Sequence, residues 1–509
     1  MIQLAEIFQD GMVLQRRKKV SVWGTSSLAQ QIKVRWNDEV LLETEIGEGE
    51  FKISLPEMEA AFQGELHLSG SCGDHVVLKN VDIGEVWIAG GQSNMEFTLQ
   101  CDKDGEQAIE GAADEHFRYY EVGRYSFEGE AEEGLKDASH WDRWLPFQKE
   151  YAPWFSAVSV YFAKKLRIEL KIPVAVIGCN WGGTPAVSWI AEEELSGDSE
   201  LRGLAEEYNR TVQSLDMEKY LVQDLKKRKH ASSPEVTSKV DLLMKEECLK
   251  APGFFTKLIG KWYAKFQGAG PHDEKRPGGL FQTMVSRIAG YDCRGVIWYQ
   301  GEADADHPFL YKKLFEGVIR SWRKAWEKEL PFLFVQLAPF EAWQGCSGEN
   351  FPVLRQQQQE AEDEIKDCWM ASIMDVGSRF DIHPKEKQPV GERLALLALG
   401  KMYGQDKLCE APRISAIEKQ EGIIRVEFKD AGDGLMLKGE LDGLFTVTSE
   451  ERVIGCGVEI EENCVYLRSP ELTEDKKVVV EFAYMPYCQM TLYGSTGLPA
   501  RPSAPVEIL

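Results

Sequence analysis

The chain is poor in the side chains that build metal centres and disulfide frameworks. Its 11 cysteines include no C-x-x-C pair, and an odd number of thiols cannot all be paired within one chain. We therefore expect reduced, mostly buried cysteines, and neither a disulfide-based fold nor a structural zinc site. Histidine is also scarce, with eight residues in 509, so few histidines compete for any catalytic role.

Long apolar runs and an excess of basic residues are also missing. No stretch approaches the roughly 20 apolar residues of a membrane span, and the opening residues lack the basic and then apolar pattern of a signal peptide. The chain has 59 basic and 83 acidic residues, a net charge of −24. We therefore expect no nucleic-acid or membrane partner and a cytoplasmic location, or secretion if a leader has been removed. The oligomeric state cannot be read from these features.

The pattern of apolar residues changes twice along the chain, which predicts three domains. In residues 1–80, apolar and polar side chains alternate as they do in β-strands. In residues 81–405, apolar strands alternate with helices, and a helical insertion rich in Lys and Glu lies at about 196–275. Within the insertion, 218–229 and 240–249 have helical spacing. Residues 406–509 return to the β pattern. We expect a catalytic α/β domain flanked by N- and C-terminal antiparallel β domains.

The central region contains five short, almost continuously apolar segments separated by predicted helices. The segments are residues 84–89, 174–178, 295–299, 332–337 and 369–374, and the helices are 157–170, 281–290, 311–327, 353–365 and 391–402. A polar region after the first segment is predicted as loop. Strands apolar on both faces are typical of a parallel sheet covered on both sides, so we expect a five-stranded parallel sheet with helices on both faces.

Polar side chains follow four of these five segments. They read GQSN at 91–94, NWGGT at 180–184, QGEAD at 300–304, and Asp375 with DIHP at 381–384. The carboxyl ends of parallel strands meet at one edge of a sheet, where ligands bind. A hydroxyl, a glycine pair, a side-chain amide and an Asp/His pair are therefore expected to meet there.

These are the groups that acyl transfer needs. Ser93, after a Gly-Gly pair, is the candidate nucleophile, His383 the general base and Asp381 the acid that orients it. Taken alone, Gly90 and Gly91 predict only a turn, after which Ser93 caps the next helix. Asp375 stays open as the alternative acid, and His307 is the reserve base.

An oxyanion needs fixed hydrogen-bond donors. We expect them from the backbone N–H of Ser93, the N–H of Gly183 or Gly182, and the side-chain amide of Gln300. Gln92, Asn94 and Glu302 are predicted to contact substrate. Glu302 and Asp304 also suggest a glycosidase or metal pair, but no second acidic cluster supports that, so we predict hydrogen bonding within the loop and no metal or cofactor.

Together these motifs resemble the sialate O-acetylesterase family and related carbohydrate acetylesterases of the SGNH hydrolases. Further similar blocks are FQDGMVLQR at 8–16, VWG at 22–24, GEVW at 84–87 and GLPA at 497–500. The resemblance implies a flavodoxin-like SGNH core with attached β domains, a metal-free Ser/His/Asp mechanism, and release of acetate from the hydroxyls of an acetylated mono- or oligosaccharide.

The chain departs from the general SGNH pattern at three points. It has Gly-Gln-Ser in place of Gly-Asp-Ser and Gln300 in place of an Asn, and both suit the carbohydrate-esterase branch. Asp381 lies two residues before His383, whereas three is usual, which keeps Asp375 in question. The G-x-S-x-G elbow of the α/β-hydrolases fails at Met95.

The sequence thus predicts a serine O-acetylesterase acting through an acetyl-Ser93 intermediate on acetylated glycans, either sialic acid or plant-type oligosaccharides such as acetylated xylan. A general short-acyl esterase or thioesterase would use the same catalytic residues. A non-catalytic carbohydrate-binding protein is the alternative outside enzymes, although the complete set of catalytic residues disfavours it.

Overall fold

A computed structural model describes residues 1–135, 141–238, 269–343, 345–441 and 443–509. The predicted helix at 240–249 lies outside the described residues. Among the described helices, none is long and apolar enough to cross a membrane. All ten cysteines in the described part of the chain are free, and seven of them are buried.

Eight strands open the chain. They are β1 (Ile2–Leu4), β2 (Val13–Gln15), β3 (Val20–Ser26), β4 (Gln30–Trp36), β5 (Glu39–Ile46), β6 (Gly49–Leu55), β7 (Ala61–Gly70) and β8 (His75–Gly91). β1, β3 and β6 form one antiparallel sheet, and β5, β4 and β7 lead in antiparallel order into β8. The predicted N-terminal β region is therefore present.

The strand β8 belongs to this β region and to the central sheet at once. Among its first six residues, of which 75–78 pair with β7, only Leu78 is buried, whereas every residue from Val81 to Gly91 is buried. One apolar core extends from β1 through the central sheet. The predicted boundary at 80/81 thus marks a change in burial within one continuous strand, and no linker separates the two regions.

The central sheet continues with β9 (Ala113–Glu121), β10 (Trp144–Gln148), β11 (Val174–Asn180), β12 (Gly295–Tyr299), β13 (Phe332–Val335) and β16 (Cys368–Ala371). Its order is β10-β9-β11-β8-β12-β13-β16, and every pair is parallel except β10 with β9. The five predicted strands therefore lie in the order 2-1-3-4-5, the flavodoxin-like order. All residues of β11 and β12 are buried, so both faces of the sheet are covered.

The prediction of five strands is wrong in number, because β9 adds a sixth parallel strand where a loop was expected. The first half of β9 is polar and partly exposed, and its buried second half contains Arg118 and Glu121. These charges have partners, since Arg118 donates to Asn80 and Glu121 accepts from Arg124. Charged side chains interrupt the apolar run by which a buried strand is predicted.

The described helices are short or medium in length. They are Ser93–Glu96, Gly105–Glu110, Ala157–Leu170, Glu192–Gly197, Ser199–Gln213, Met217–Ala231, Ser286–Ile288, Tyr311–Trp326, Phe351–Glu364 and Gln388–Met402. Ala157–Leu170 packs against Gln388–Met402, and Tyr311–Trp326 packs against Phe351–Glu364. Two short antiparallel strands of two residues each, β14 (Ala342–Trp343) and β15 (Cys346–Ser347), form a hairpin after β13.

The C-terminal strands form a second β region with a core of its own. They are β17 (Arg413–Gln420), β18 (Ile423–Lys429), β19 (Leu435–Leu437), β20 (Phe445–Ser449), β21 (Arg452–Ile454), β22 (Gly457–Glu461), β23 (Cys464–Arg468), β24 (Val478–Phe482), β25 (Leu492–Gly494) and β26 (Ser503–Ile508). Two buried arginines join this region to the helix Phe351–Glu364. Arg501 pairs with Glu362, and Arg355 donates to the carbonyl of Met485.

Candidate active site

Ser93 stands where the central strand β8 ends. Gly91 has a φ of +134°, and a Cβ on it would lie 2.1 Å from the carbonyl oxygen of Tyr299. Only glycine fits so close to the neighbouring strand in this conformation. The chain then turns at Gln92 and enters the helix Ser93–Glu96, which leaves the Ser93 side chain partly exposed at the carboxyl edge of the sheet.

The structure brings Ser93 and His383 together. The Ser93 Oγ lies 2.9 Å from the His383 Nε2, within hydrogen-bond distance. His383 is buried, and burial together with the nearby Lys387 and Lys385 charges lowers its pKa to about 3. Its imidazole is therefore neutral at ordinary pH and can accept the serine proton. The base paired with Ser93 is His383 and not the reserve candidate His307.

Of the two candidate acids, Asp381 is the one beside the imidazole. Its Oδ1 lies 3.9 Å from the His383 Nδ1 and accepts a 2.9 Å hydrogen bond from the His383 backbone N–H. Asp375 instead forms a bidentate ion pair with Arg393, with distances of 2.6 and 2.8 Å between the carboxylate oxygens and the guanidinium nitrogens. Asp381 therefore fits the orienting role, although 3.9 Å is longer than a hydrogen bond. Such contacts in unliganded sites often tighten when substrate binds.

The glycine pair after β11 meets Ser93 on its other side. A Cβ on Gly182 would lie 3.2 Å from the Ser93 Cβ, so this loop passes close to the nucleophile. The Gly182 N–H donates to Glu96, 2.5 Å away. Gly183 is exposed with a φ of +76°, and no described residue accepts a hydrogen bond from its N–H. Of the two glycines, Gly183 is therefore the one whose N–H has no acceptor among the described residues.

Gln300 does not supply the predicted third donor in this structure. Its amide nitrogen donates to Asp304 at 2.5 Å and to the Thr184 carbonyl at 3.3 Å, and the side chain is fully buried. Burial raises the pKa of Asp304 to about 6, while the bond from Gln300 opposes that rise. The prediction failed because Asp304, four residues further along, competes for the same N–H groups.

Gln92 and Asn94 are not substrate contacts either, because their amide groups are used inside the protein. Gln92 is buried and accepts from the N–H groups of Gly301 and Ala303 at 3.3 and 3.2 Å. Asn94, also buried, donates to Glu302 at 2.5 Å and to the Ile382 carbonyl at 3.0 Å. Both side chains therefore connect residues 91–96, the nucleophile loop, to the neighbouring loops.

Glu302, which is half-buried, also takes part in these hydrogen bonds. One of its carboxylate oxygens accepts from Asn94, and the other is buried without a partner among the described residues. Burial raises the pKa of its carboxyl group. The contact between Glu302 and substrate stays a prediction, and the hydrogen bond from Asn94 agrees with the predicted hydrogen bonding within the loop.

Several residues of the site were not predicted from the sequence. Arg124 bridges Glu96 and Glu121, at 2.6 and 2.5 Å, beside the glycine loop. Trp343, on the hairpin after β13, stands edge-on to His383 with ring centres 5.3 Å apart. Lys387, six residues after Asp381, is fully buried and donates to the Asn94 Oδ1 at 2.6 Å. None belongs to a motif block, so only a structure could reveal them.

The comparisons with known proteins agree with this geometry. Residues 259–400 match the family model described as carbohydrate esterase, sialic acid-specific acetylesterase. The chain is 26% identical to the rat sialate O-acetylesterase over 65% of its length, and 26% identical to the human sialate O-acetylesterase over 69%. A carbohydrate acetylesterase from Xanthomonas citri has a similar structure, with 26% identity, a TM-score of 0.75 and 99% of each chain covered.

The predicted resemblance to the sialate O-acetylesterases is confirmed. The same matches support the prediction of a carboxylic ester hydrolase. The chain spans 58% of the length of the rat relative and 60% of the human one. The mixed α/β architecture with several sheets is shared with the esterase from Xanthomonas citri over nearly all of both chains.

Proposed function

We propose that this protein is a serine O-acetylesterase that removes acetyl groups from sugar hydroxyls, built on an SGNH-type core. The observation that carries the proposal is the 2.9 Å contact between the Ser93 Oγ and the Nε2 of a buried, neutral His383. A hydroxyl becomes an effective nucleophile when a neutral imidazole can take its proton.

The reaction proceeds in two halves. The Ser93 oxygen attacks the acetyl carbonyl carbon as its proton moves to His383, and the backbone N–H groups of Ser93 and Gly183 stabilise the oxyanion. His383 then gives the proton to the sugar oxygen, and the ester C–O bond breaks. In the second half, water gives a proton to His383 and attacks the acetyl carbonyl carbon of acetyl-Ser93. The bond between that carbon and the Ser93 Oγ then breaks as His383 returns the proton to the Oγ, which releases acetate and restores the serine.

The charges near Ser93 favour a neutral acetylated oligosaccharide over O-acetyl sialic acid. Three cations lie near the catalytic residues, and each already has an acidic or amide partner: Arg124 with two glutamates, Lys385 with Asp381, and Lys387 with Asn94. A sialate carboxylate would have to compete with those partners. The relatives named as sialate O-acetylesterases keep the acidic sugar as the second candidate substrate.

Acetate release from acetylated xylo-oligosaccharide, acetylated manno-oligosaccharide and O-acetyl sialic acid tests the proposal directly. We expect the highest kcat/KM on a neutral oligosaccharide. Preference for the sialate would overturn the charge argument while leaving the esterase mechanism intact. Equal rates on acetyl and octanoyl esters would indicate a general esterase, and the absence of ester hydrolysis altogether would indicate a carbohydrate-binding protein.

A further inference from the structure

Lys387 is a buried cation directly behind the catalytic residues. It immediately precedes the helix Gln388–Met402, and its relative exposure is 0%. Its ammonium lies 4.7 Å from the ring centre of Phe97 and 5.6 Å from that of Tyr299. A fully buried lysine is costly and persists only where specific partners hold it. Those partners here belong to the loops that carry the catalytic residues.

The hydrogen bonds of Lys387 and Asn94 join three loops of the site. Asn94 follows Ser93 in the chain, and the Lys387 ammonium donates a 2.6 Å hydrogen bond to the Asn94 Oδ1. The Asn94 amide in turn donates to Glu302, on the loop after β12, and to the carbonyl of Ile382, next to His383. One lysine and one asparagine therefore fix the nucleophile loop relative to residues 381–384, the histidine loop.

The charges that face Lys387 come from each of these elements. Glu302 and Asp381 are acidic neighbours, Asp102 accepts from the Lys387 backbone N–H at 2.8 Å, and Lys385 is a like charge. Burial lowers the pKa of Lys387 to about 7, and the acidic neighbours oppose that change. After burial itself, the Lys387 charge is the largest influence that lowers the pKa of His383.

We propose that Lys387 is a positioning residue that holds the Ser93 and His383 loops in register through Asn94. The proposal rests on the ester hydrolysis proposed above. It adds to that function a residue that touches neither substrate nor the reacting atoms. It also explains why Asn94, although it follows the nucleophile, faces the interior.

The test measures kcat and KM for 4-nitrophenyl acetate as a function of pH. It compares the wild-type protein with the variants Lys387→Met, Asn94→Ala and Lys401→Met. Lys401 lies near the far end of the same helix and pairs with Glu410, so its variant controls for loss of a lysine charge from that helix. We expect Lys387→Met to lower kcat about 10- to 100-fold with KM changed less than about threefold, because misplaced catalytic groups cost turnover. The acidic limb of its kcat/KM profile should move upward by about half a pH unit or more, because removal of a nearby cation raises the pKa of an imidazole.

Asn94→Ala should lower kcat without that movement of the acidic limb, since the lysine charge remains, and Lys401→Met should behave as wild type. If Lys387→Met does not fold, the Asn94→Ala result decides whether the link between the loops matters. The inference would be overturned if Lys387→Met kept both the kcat and the acidic limb of the wild-type kcat/KM profile. It would also be overturned if Asn94→Ala kept the wild-type kcat. The labelling rate of wild-type Ser93 with a fluorophosphonate is measured alongside. Absence of both labelling and ester hydrolysis in wild type would defeat the proposed function itself.

Discussion

The two sides of the nucleophile loop differ in what their polar groups do. On the open side, Ser93 is partly exposed beside His383, and Gly183 is exposed. On the buried side, the amides of Gln92, Asn94 and Gln300 each form hydrogen bonds within the protein. A catalytic motif thus contains both reacting groups and the groups that hold them, and adjacency in sequence does not separate the two.

The strongest test of the open side is removal of its reacting groups. Ser93→Ala and His383→Ala should each lower kcat by about 10⁵- to 10⁶-fold, because a nucleophile and its base act as one unit. Circular dichroism and the thermal midpoint check that the fold is unchanged. Either variant retaining more than a hundredth of wild-type turnover would contradict the assignment.

A pair of matched variants tests the choice of acid. Asp381→Asn should lower kcat by about 10²- to 10⁴-fold, because the imidazole loses the carboxylate that orients it. Asp375→Asn should change kcat less than about threefold, while the weakened ion pair with Arg393 costs about 1–3 kcal/mol of unfolding free energy. The reverse order of the two kcat effects would make Asp375 the acid.

The buried side is tested at Gln92. Gln92→Ala leaves the N–H groups of Gly301 and Ala303 without their acceptor, at a cost of about 1–3 kcal/mol in unfolding free energy. We expect kcat to fall about 10- to 100-fold through displacement of the loop, with KM nearly unchanged. A large rise in KM at constant kcat would instead restore Gln92 as a substrate contact.

Trp343 tests the wall of the site on the His383 side. Trp343→Ala removes an indole that stands edge-on to the imidazole at 5.3 Å. We expect about a three- to tenfold loss of kcat/KM on acetyl esters and weaker discrimination against butyryl esters, because the site becomes wider. Trp343→Phe is the control and should keep most of the activity and selectivity.

The smallest expected effect concerns pH. A base with its pKa lowered to about 3 stays neutral in mildly acidic solution, so wild-type kcat/KM should fall less than about twofold between pH 8 and pH 5. The linked effect on stability has a definite sign. Below the ordinary pKa of about 6.5, the unfolded chain binds a proton that the folded His383 does not. This contribution to stability is therefore full above that pH and is lost as the pH falls toward 3. An acidic limb near pH 6.5 would contradict this environment for His383.

The sequence could predict those parts of the fold that depend on local apolar patterns. Five strands of the central sheet were found because they are apolar on both faces, and the β regions at both ends because they alternate. The strand β9 was missed because the charged residues Arg118 and Glu121 lie in its buried half, where they interrupt the apolar pattern of a buried strand. The continuity of β8 across residue 80 was missed because a change of burial looks like a boundary in sequence.

For the site, the sequence could place Ser93, His383 and the glycine pair at one edge of the sheet, because parallel strands end there. It could not assign hydrogen-bond partners to amide side chains. Whether Gln300 faces a substrate or Asp304 depends on rotamers and neighbours in three dimensions. Lys387 carried no signal at all, since a lysine at a helix start is ordinarily a solvated residue.

The most direct test of Ser93 as the activated nucleophile is site mapping with a fluorophosphonate. The protein is labelled to increasing extents, ester hydrolysis is measured, and the labelled peptide is identified by mass spectrometry. We expect a single label on Ser93, activity lost in proportion to it, and at least a hundredfold slower labelling in His383→Ala. Activity retained after complete labelling of Ser93, or lost through a label on another residue, would contradict the account.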